Sequence, residues 1–242
     1  MLDVNSLPAS VAHRSARAFA HYCLWTMRAA PVHIETEANM PHGPAVVAGW
    51  HAANLLALSV HYYYFWHLKA LSFYPPGLVG AGMRGQLEGF GQQPVALPAD
   101  NSGNASAAIK HMLRALADGQ LVVVAVDGPH GPALRVRPGA PWLARASGRP
   151  LIPTGFAARP ALRWPRWDRQ IIPLPGMRLA AIFGTPVFVE RRREIDATLL
   201  EELGAAIAQA TRRAWEVVGG RPAAVAPSTL PRRAQQNAPG AT

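Results

Sequence analysis

The chain has 242 residues, of which half are hydrophobic and 16% are charged. This composition excludes an intrinsically disordered protein and supplies enough apolar material for a core. Its 24 Lys and Arg residues outnumber 14 Asp and Glu, which gives a formal net charge of +10. The single Cys excludes a disulfide framework, and the lack of any uninterrupted apolar run of about 18 residues argues against a membrane-spanning helix.

Residues 1–44 are predicted to form a helical segment ahead of the main domain. Residues 7–30 contain no Gly or Pro after Pro8, and their apolar residues form a stripe interspersed with Arg and His. Two interpretations stay open for this amphipathic helix. It packs on its own domain, or it lies with its basic side on a membrane surface.

Residues 45–219 alternate between predicted strands and predicted helices. The strands are expected at 45–50, 93–97, 121–126, 151–156, 178–183 and 187–189, and the helices at 52–68, 104–118, 138–147 and 199–218. This alternation predicts an α/β fold whose central sheet is mainly parallel and flanked by helices. Residues 220–242, rich in Pro, Ala, Arg and Gln, are expected to form a disordered tail.

Two polar residues directly follow the most apolar predicted strands. His51 comes after AVVAGW, and Asp127 comes after LVVVAV. Ligands of parallel sheets bind at the carboxyl ends of the strands, so both side chains are expected at one site. The start of a helix favours neutral imidazole, which can accept a proton, so His51 is a candidate general base. The alternatives are a helix-capping His and an Asp that only forms a turn.

Four short motifs around these residues resemble a known family. In chain order they are Trp50-His51, Asp127-Gly128-Pro129-His130-Gly131-Pro132, Arg137-Pro138-Gly139 and Gly148-Arg149-Pro150-Leu151-Ile152-Pro153. The combination is similar to a bacterial branch of the lysophospholipid acyltransferase superfamily, formerly catalogued as a domain of unknown function. A weaker similarity continues through Trp167-Asp168-Arg169 and Phe183-Gly184-Thr185-Pro186.

The resemblance implies an acyltransferase with an acyltransferase-like domain over residues 45–219. Such an enzyme moves a fatty acyl group from acyl-CoA or acyl carrier protein to a lysophospholipid or related lipid hydroxyl, with no cofactor and no metal. It implies His51 as general base and Asp127 as a second site residue that contacts the acceptor. The remaining expected substrate-binding residues are Asn54, Gly128, Pro129, His130, Gly131, Arg135 and Arg137.

Some parts of the sequence depart from the family's pattern. The superfamily places an Asp five residues after its His, where this chain has Leu56, so Asn54 or Asp127 is expected to orient the imidazole ring instead. The glycine-rich stretch 80–85 is expected to form a flexible lid or acyl-channel loop. The alternative to an enzyme is a catalytically silent relative that binds lipids or anions.

Arginine dominates the second half of the domain. Between Gly128 and Val189 there are nine Arg and one acid, Asp168. Because Arg pairs well with phosphate and carboxylate, we expect an anionic membrane surface as partner and a peripheral location at the cytoplasmic face of the inner membrane. The alternatives are a phosphate-bearing substrate and a merely solvated basic face. Nucleic acid is a further candidate for the Arg-rich stretch, but no specific nucleic-acid partner is expected.

Overall fold

The computed structural model describes residues 8–36, 43–96, 103–128 and 131–220, which form a seven-stranded sheet between two layers of helices. The strands are β1 Val32–Thr36, β2 Val46–Gly49, β3 Ala70–Tyr74, β4 Gln93–Ala96, β5 Leu121–Ala125, β6 Leu151–Arg163 and β7 Ile171–Phe183. The helices are α1 Ala9–Met27, α2 Asn54–Tyr64, α3 Gly77–Gly89, α4 Gly103–Ala117, α5 Gly139–Ser147 and α6 Ala197–Val217. A short 3₁₀ turn, His51–Ala53, joins β2 to α2.

The strands follow the order β1-β7-β6-β2-β5-β3-β4 across the sheet. Every neighbouring pair is parallel except β6 and β7, which are antiparallel. The α/β class, the mainly parallel sheet flanked by helices and the N-terminal helix predicted from the sequence are therefore confirmed.

The hairpin formed by β6 and β7 extends beyond the rest of the sheet. Strand β2 pairs with β6 only as far as Pro153, whereas β6 continues to Arg163, which pairs with Ile171 of β7. The connection between them, residues 164–170, is called the hairpin tip below. It lies past the carboxyl end of β2, which is the edge of the sheet where His51 is found.

The two helical layers bury different faces of the sheet. Helices α4, α5 and α6 pack on one face through a cluster that includes Leu116, Leu143 and Leu203, all buried. Helices α1, α2 and α3 form the other layer. Neighbouring residues of β6 show the alternation expected of a strand, because Gly155 lies against α6 while Phe156 lines a cavity beside α2.

The structure corrects several details of the predicted secondary structure. Segment 1–44 is not only helical, because β1 joins the sheet beside β7, and β3 was not predicted at all. The predicted strand 151–156 is the first part of β6, and the predicted strand 178–183 is the last part of β7. Each of these two strands is 13 residues long. The predicted strand 187–189 is reduced to a single bridge between Val187 and Leu151. The predicted tail, from residue 221 onward, lies outside the described residues.

The glycine-rich stretch predicted as a flexible loop is part of helix α3. Gly85 permits close contact between α3 and α1, since a Cβ there would overlap the carbonyl oxygen of His13. Gly89, farther along α3, has the same function, since a Cβ there would stand 2.7 Å from the Cβ of Ala20. Flexibility was the wrong interpretation because the partner helix that makes these glycines necessary could not be recognised in the sequence.

Helix α1 packs on the domain through one side. Cys23, Leu24 and Met27 are buried, whereas the Arg and His residues of its other side, Arg14, Arg17, His21 and Arg28, are exposed. The inner face of α1 therefore agrees with the first interpretation, in which the helix packs on its own domain. Its outer face is basic and contains no acidic residue.

Candidate functional site

His51 and Asp127 lie side by side because their strands are neighbours in register. Gly49 of β2 pairs with Ala125 of β5, and each polar residue stands two positions beyond its member of that pair. The backbone N–H of His51 donates a hydrogen bond to Oδ1 of Asp127, with 2.8 Å between N and O. The sequence-based expectation that one strand edge brings these residues together describes the structure correctly.

The carboxylate of Asp127 is committed to the main chain. Its second oxygen, Oδ2, accepts a hydrogen bond from the backbone N–H of Leu134 at 2.9 Å, and the residue is only 1% exposed. Burial raises the pKa of this carboxyl, and the two backbone donors oppose that effect. Asp127 thus fixes the position of His51 and the following turn. Because Asp168, described next, holds the His51 ring, this geometry corrects the expectation that Asp127 orients the imidazole. The expectation that Asp127 contacts the acceptor stays a prediction.

Asp168, at the hairpin tip, is the residue that orients the ring of His51. Its Oδ2 lies 2.6 Å from Nδ1 of His51, and the Asp168 side chain is buried. Burial tends to raise the pKa of Asp168, but the hydrogen bond from His51, assisted by the charge of Arg166, outweighs it and leaves the pKa below its ordinary value. An ionised carboxylate accepts only, so Nδ1 must carry the proton that it shares with Asp168.

The remaining ring nitrogen of His51, Nε2, has no hydrogen-bond partner among the described residues. In the neutral form of the imidazole with Nδ1–H facing Asp168, Nε2 carries a lone pair that can accept a proton from a substrate. A buried carboxylate behind an imidazole also stabilises the imidazolium that forms when it does. The pair therefore has the geometry of a general base held by a carboxylate.

Two close contacts enclose the imidazole ring. Gly128 lies so near that a Cβ there would be 2.8 Å from Cδ2 of His51, and the indole of Trp167 lies on another side with ring centres 5.2 Å apart. Gly131 in turn lies against Trp167, where a Cβ would approach Cε3 to 2.8 Å, and its φ of +76° suits glycine. Because they carry no side chain, Gly128 and Gly131 therefore leave room for the imidazole of His51 and the indole of Trp167.

His51 opens onto a groove of about 650 Å³. Three elements wall it: α1, α3 and the hairpin tip with the start of β7. Most of the lining is apolar, with contributions from Phe19, Val79, Met83, Trp164 and Ile172, and the polar residues are few, including Asn54, Gln86 and Arg166. A concave, largely apolar site with a few convergent polar groups is the usual form of a small-molecule site.

The other predicted site residues have different positions. Asn54 lines the groove beside His51 but makes no hydrogen bond to its ring, which corrects the expectation that it orients the imidazole. Arg135 and Arg137 are exposed and do not line the groove, and the guanidinium of Arg137 donates to the carbonyl of Gly131. Pro129 and His130 lie outside the described residues.

Part of the Arg-rich stretch has a structural function. Arg159 donates to the carbonyl oxygen of Gly219 and Arg178 to that of Val218, both just after α6, where a cation complements the helix dipole. The guanidinium of Arg163 lies 4.9 Å from the ring centre of Trp215. The stretch is therefore not one uniform anion-binding surface.

Asp168 is the site residue that sequence reasoning missed. The segment Trp167-Asp168-Arg169 was noted only as part of a weak resemblance. A usable signal existed, because Asp168 is the one acid among nine Arg between Gly128 and Val189. An isolated acid in so basic a stretch is a candidate for a specific interaction with another side chain.

Neither a spanning helix nor a metal cluster is present in the part of the chain that the structure covers. None of its helices is long and apolar enough to cross a membrane. Across residues 8–36, 43–96, 103–128 and 131–220, no three His, Cys, Asp or Glu side chains gather in a way that could hold a metal ion.

Comparisons with known proteins give a limited result. No protein-family model matches the sequence. Over 142 residues, 59% of this chain, the sequence is 29% identical to an uncharacterized protein of Rickettsia prowazekii (strain Madrid E). The match covers 63% of that protein, somewhat less than two thirds of its length.

Proposed function

We propose that the protein is an acyltransferase that moves a fatty acyl group from an acyl thioester to the hydroxyl of a lysophospholipid or related lipid. The observation that carries the proposal is the His51–Asp168 pair, whose Nε2 faces a largely apolar groove and has no hydrogen-bond partner in the part of the chain that the structure describes. The motifs around His51 and Asp127 that resemble the lysophospholipid acyltransferase superfamily support the same activity.

The chemical step follows from the state of the imidazole. Nε2 of His51 takes the proton of the acceptor hydroxyl as its oxygen attacks the thioester carbonyl carbon. The tetrahedral intermediate collapses, the carbon–sulfur bond breaks, and the thiolate takes the proton back from the imidazolium. Asp168 stabilises the imidazolium between these two transfers. The products are an ester and a free thiol, so the balance needs no oxidant, metal or resident cofactor.

The shape of the groove suits this pair of substrates. Apolar side chains such as Phe19, Met83 and Ile172 can accommodate an acyl chain, and they limit the access of water that would hydrolyse the thioester. Asn54 and Arg166 provide a hydrogen-bond donor and a positive charge for the polar end of a substrate. Acyl-CoA and acyl carrier protein are both suitable donors, and the acceptor would come from the cytoplasmic face of the inner membrane.

The experiment is a direct assay with purified protein, a panel of acyl-CoA chain lengths and acyl carrier protein thioesters, and lysophospholipids as acceptors. We expect thiol release that depends on the acceptor and a diacyl product detected by mass spectrometry. His51→Ala should lower both by about 10²-fold or more, and His111→Ala, at an exposed position of α4, should not. Lipid binding without thiol release or product in the wild-type protein would instead support a catalytically silent lipid-binding relative.

A further inference from the structure

We propose that the rim of the groove, formed by Val79, Trp164 and Arg166, docks onto an anionic phospholipid bilayer so that the groove opens toward the lipid. The inference rests on the proposed function in one respect, which is that the groove holds a lipid. The docking itself can be measured without catalysis. Each member of the rim both lines the groove and is exposed.

Large apolar side chains stand on both sides of the groove mouth. Val79, on α3, is 69% exposed, and Trp164, on the hairpin tip, is 53% exposed. Leu162, two residues before Trp164 at the end of β6, is 57% exposed. Exposed apolar side chains at the mouth of an apolar groove mark an interaction surface, and Trp is the residue that membrane interfaces favour.

Two acidic residues on the elements that line the groove are buried or paired within the protein. The carboxylate of Asp168 is buried against His51. Glu88, on α3, is bonded to Arg84 at 2.7 Å and to His13 at 2.8 Å. Neither acid presents a free negative charge that would repel an anionic surface.

Basic side chains remain exposed on the hairpin-tip side of the same opening. Arg166 lines the groove, and Arg169 belongs to the same hairpin tip. Positive charges near a surface of anionic headgroups add up in binding, and Arg pairs well with phosphate. Charge and exposed apolar area therefore favour the same partner.

A bilayer explains both features of the rim together. An acidic protein or a nucleic acid would satisfy the Arg residues, but neither accounts for apolar side chains that flank a groove suited to an acyl chain. A bilayer presents phosphates and hydrocarbon at one interface, and it supplies the molecules that the groove is proposed to hold.

The test is flotation of the full-length protein with vesicles of phosphatidylcholine alone or mixed equally with phosphatidylglycerol. We expect binding to the anionic vesicles that weakens with salt. The double variant Val79→Ser/Trp164→Ser should bind about tenfold more weakly, because two side chains lose the transfer of apolar surface out of water. The matched control is Trp66→Ser. Trp66 is 73% exposed and lies in the connection between α2 and β3, at the amino end of β3 and away from the carboxyl strand ends that carry His51. This variant should bind like the wild-type protein.

A second readout keeps the inference falsifiable if the serine variants are unstable. Brominated lipids in the anionic vesicles should quench part of the tryptophan fluorescence, and Trp164→Phe should remove that quenched part whereas Trp66→Phe should not. Equal quenching in the two Phe variants, equal vesicle binding of the rim and control variants, or binding to an oligonucleotide in place of vesicles would overturn the inference.

The outcome separates docking from the proposed function. His51→Ala should bind vesicles like the wild-type protein, because its side chain is buried in the site. If the protein fails to dock on vesicles but still transfers acyl groups to an acceptor dispersed in detergent, in a way that depends on His51, only the docking surface is ruled out. If the protein docks through the rim but transfers no acyl group, only the proposed acyltransferase activity is ruled out.

Discussion

His51 and Asp168 are separated by 117 positions in the chain, yet Nδ1 of the imidazole and Oδ2 of the carboxylate lie 2.6 Å apart. In the superfamily that this sequence resembles, the carboxylate stands five residues after the His, where this chain has Leu56, a buried core residue. The hairpin formed by β6 and β7 supplies the carboxylate from a different part of the fold.

Replacing Asp168 with Asn should reverse the tautomer of His51. An amide nitrogen that faces Nδ1 donates to it, so the proton moves to Nε2 and the base is lost. We expect turnover to fall by about 10²–10⁴-fold with a much smaller change in the Michaelis constant. Initial rates over a range of acceptor concentrations measure both. Asp118→Asn, at the exposed end of α4, is the control, and unchanged turnover in Asp168→Asn would show that Asp168 does not support His51 in catalysis.

Asp127→Asn should lower stability, because an amide has only one oxygen and Asp127 accepts from two backbone N–H groups, those of His51 and Leu134. Leaving a buried donor facing another donor costs about 1–3 kcal/mol, which urea denaturation would measure. The same variant should reduce turnover through displacement of His51. If its stability equals that of the wild-type protein while the Michaelis constant for the acceptor rises, Asp127 binds the acceptor as the sequence first suggested.

Gly85→Ala should destabilise the contact between α1 and α3 by about 2 kcal/mol or more, because the new methyl group meets the backbone of His13. Gly82 on the same helix is the matched control, since a Cβ there would lie 4.0 Å from the nearest α1 atom, the carbonyl oxygen of Ala12. Gly82→Ala should therefore gain about 0.5–1 kcal/mol from helix propensity. Thermal or urea unfolding compares the two, and a loss of equal size in both variants would contradict the packing described for α3.

His61 should make folding stability depend on pH. Burial lowers the pKa of this imidazole from its ordinary value of 6.5. Its ring bonds as the neutral form, because Nδ1 accepts from the Gln92 amide and Nε2 donates to the carbonyl of Leu68. The unfolded chain then binds more protons than the folded one, so stability is complete above pH 6.5 and declines as the pH falls toward the lowered value.

Urea denaturation between pH 7.5 and 5.5 measures this decline. In His61→Gln the loss of stability over that range should be smaller than in the wild-type protein. In His111→Gln, at an exposed position of α4, it should be unchanged. The same slope in the His61 variant as in the wild-type protein would show that His61 is not held neutral.

The sequence was sufficient where the local pattern determines the structure. The continuous apolar run of β5 identifies a buried strand, and the positions of His51 and Asp127 after two such strands place them at one edge of the sheet. Helix α6 was equally predictable from its apolar periodicity, and Asp196 caps its start by accepting from the backbone N–H of Leu199.

The remainder depends on contacts between distant segments. Asp168 reaches His51 only because β6 and β7 each continue for 13 residues, and no local pattern fixes how far a hairpin extends. Gly85 and Gly89 of α3 have a packing function that requires α1 as partner. Part of the arginine excess, including Arg159 and Arg178, binds carbonyls after α6, so a count of charges overstated the surface available to an anionic partner.

The central claim is that His51 and Asp168 act as one catalytic unit, and the most direct test is the rate of acceptor-dependent thioester cleavage in His51→Ala, Asp168→Asn and the double variant. Groups that act together are not additive, so the double variant should be no slower than His51→Ala alone. Each single change should still reduce the wild-type rate by about 10²-fold or more. Independent, multiplying effects of the two changes, or a wild-type rate in His51→Ala, would contradict the account.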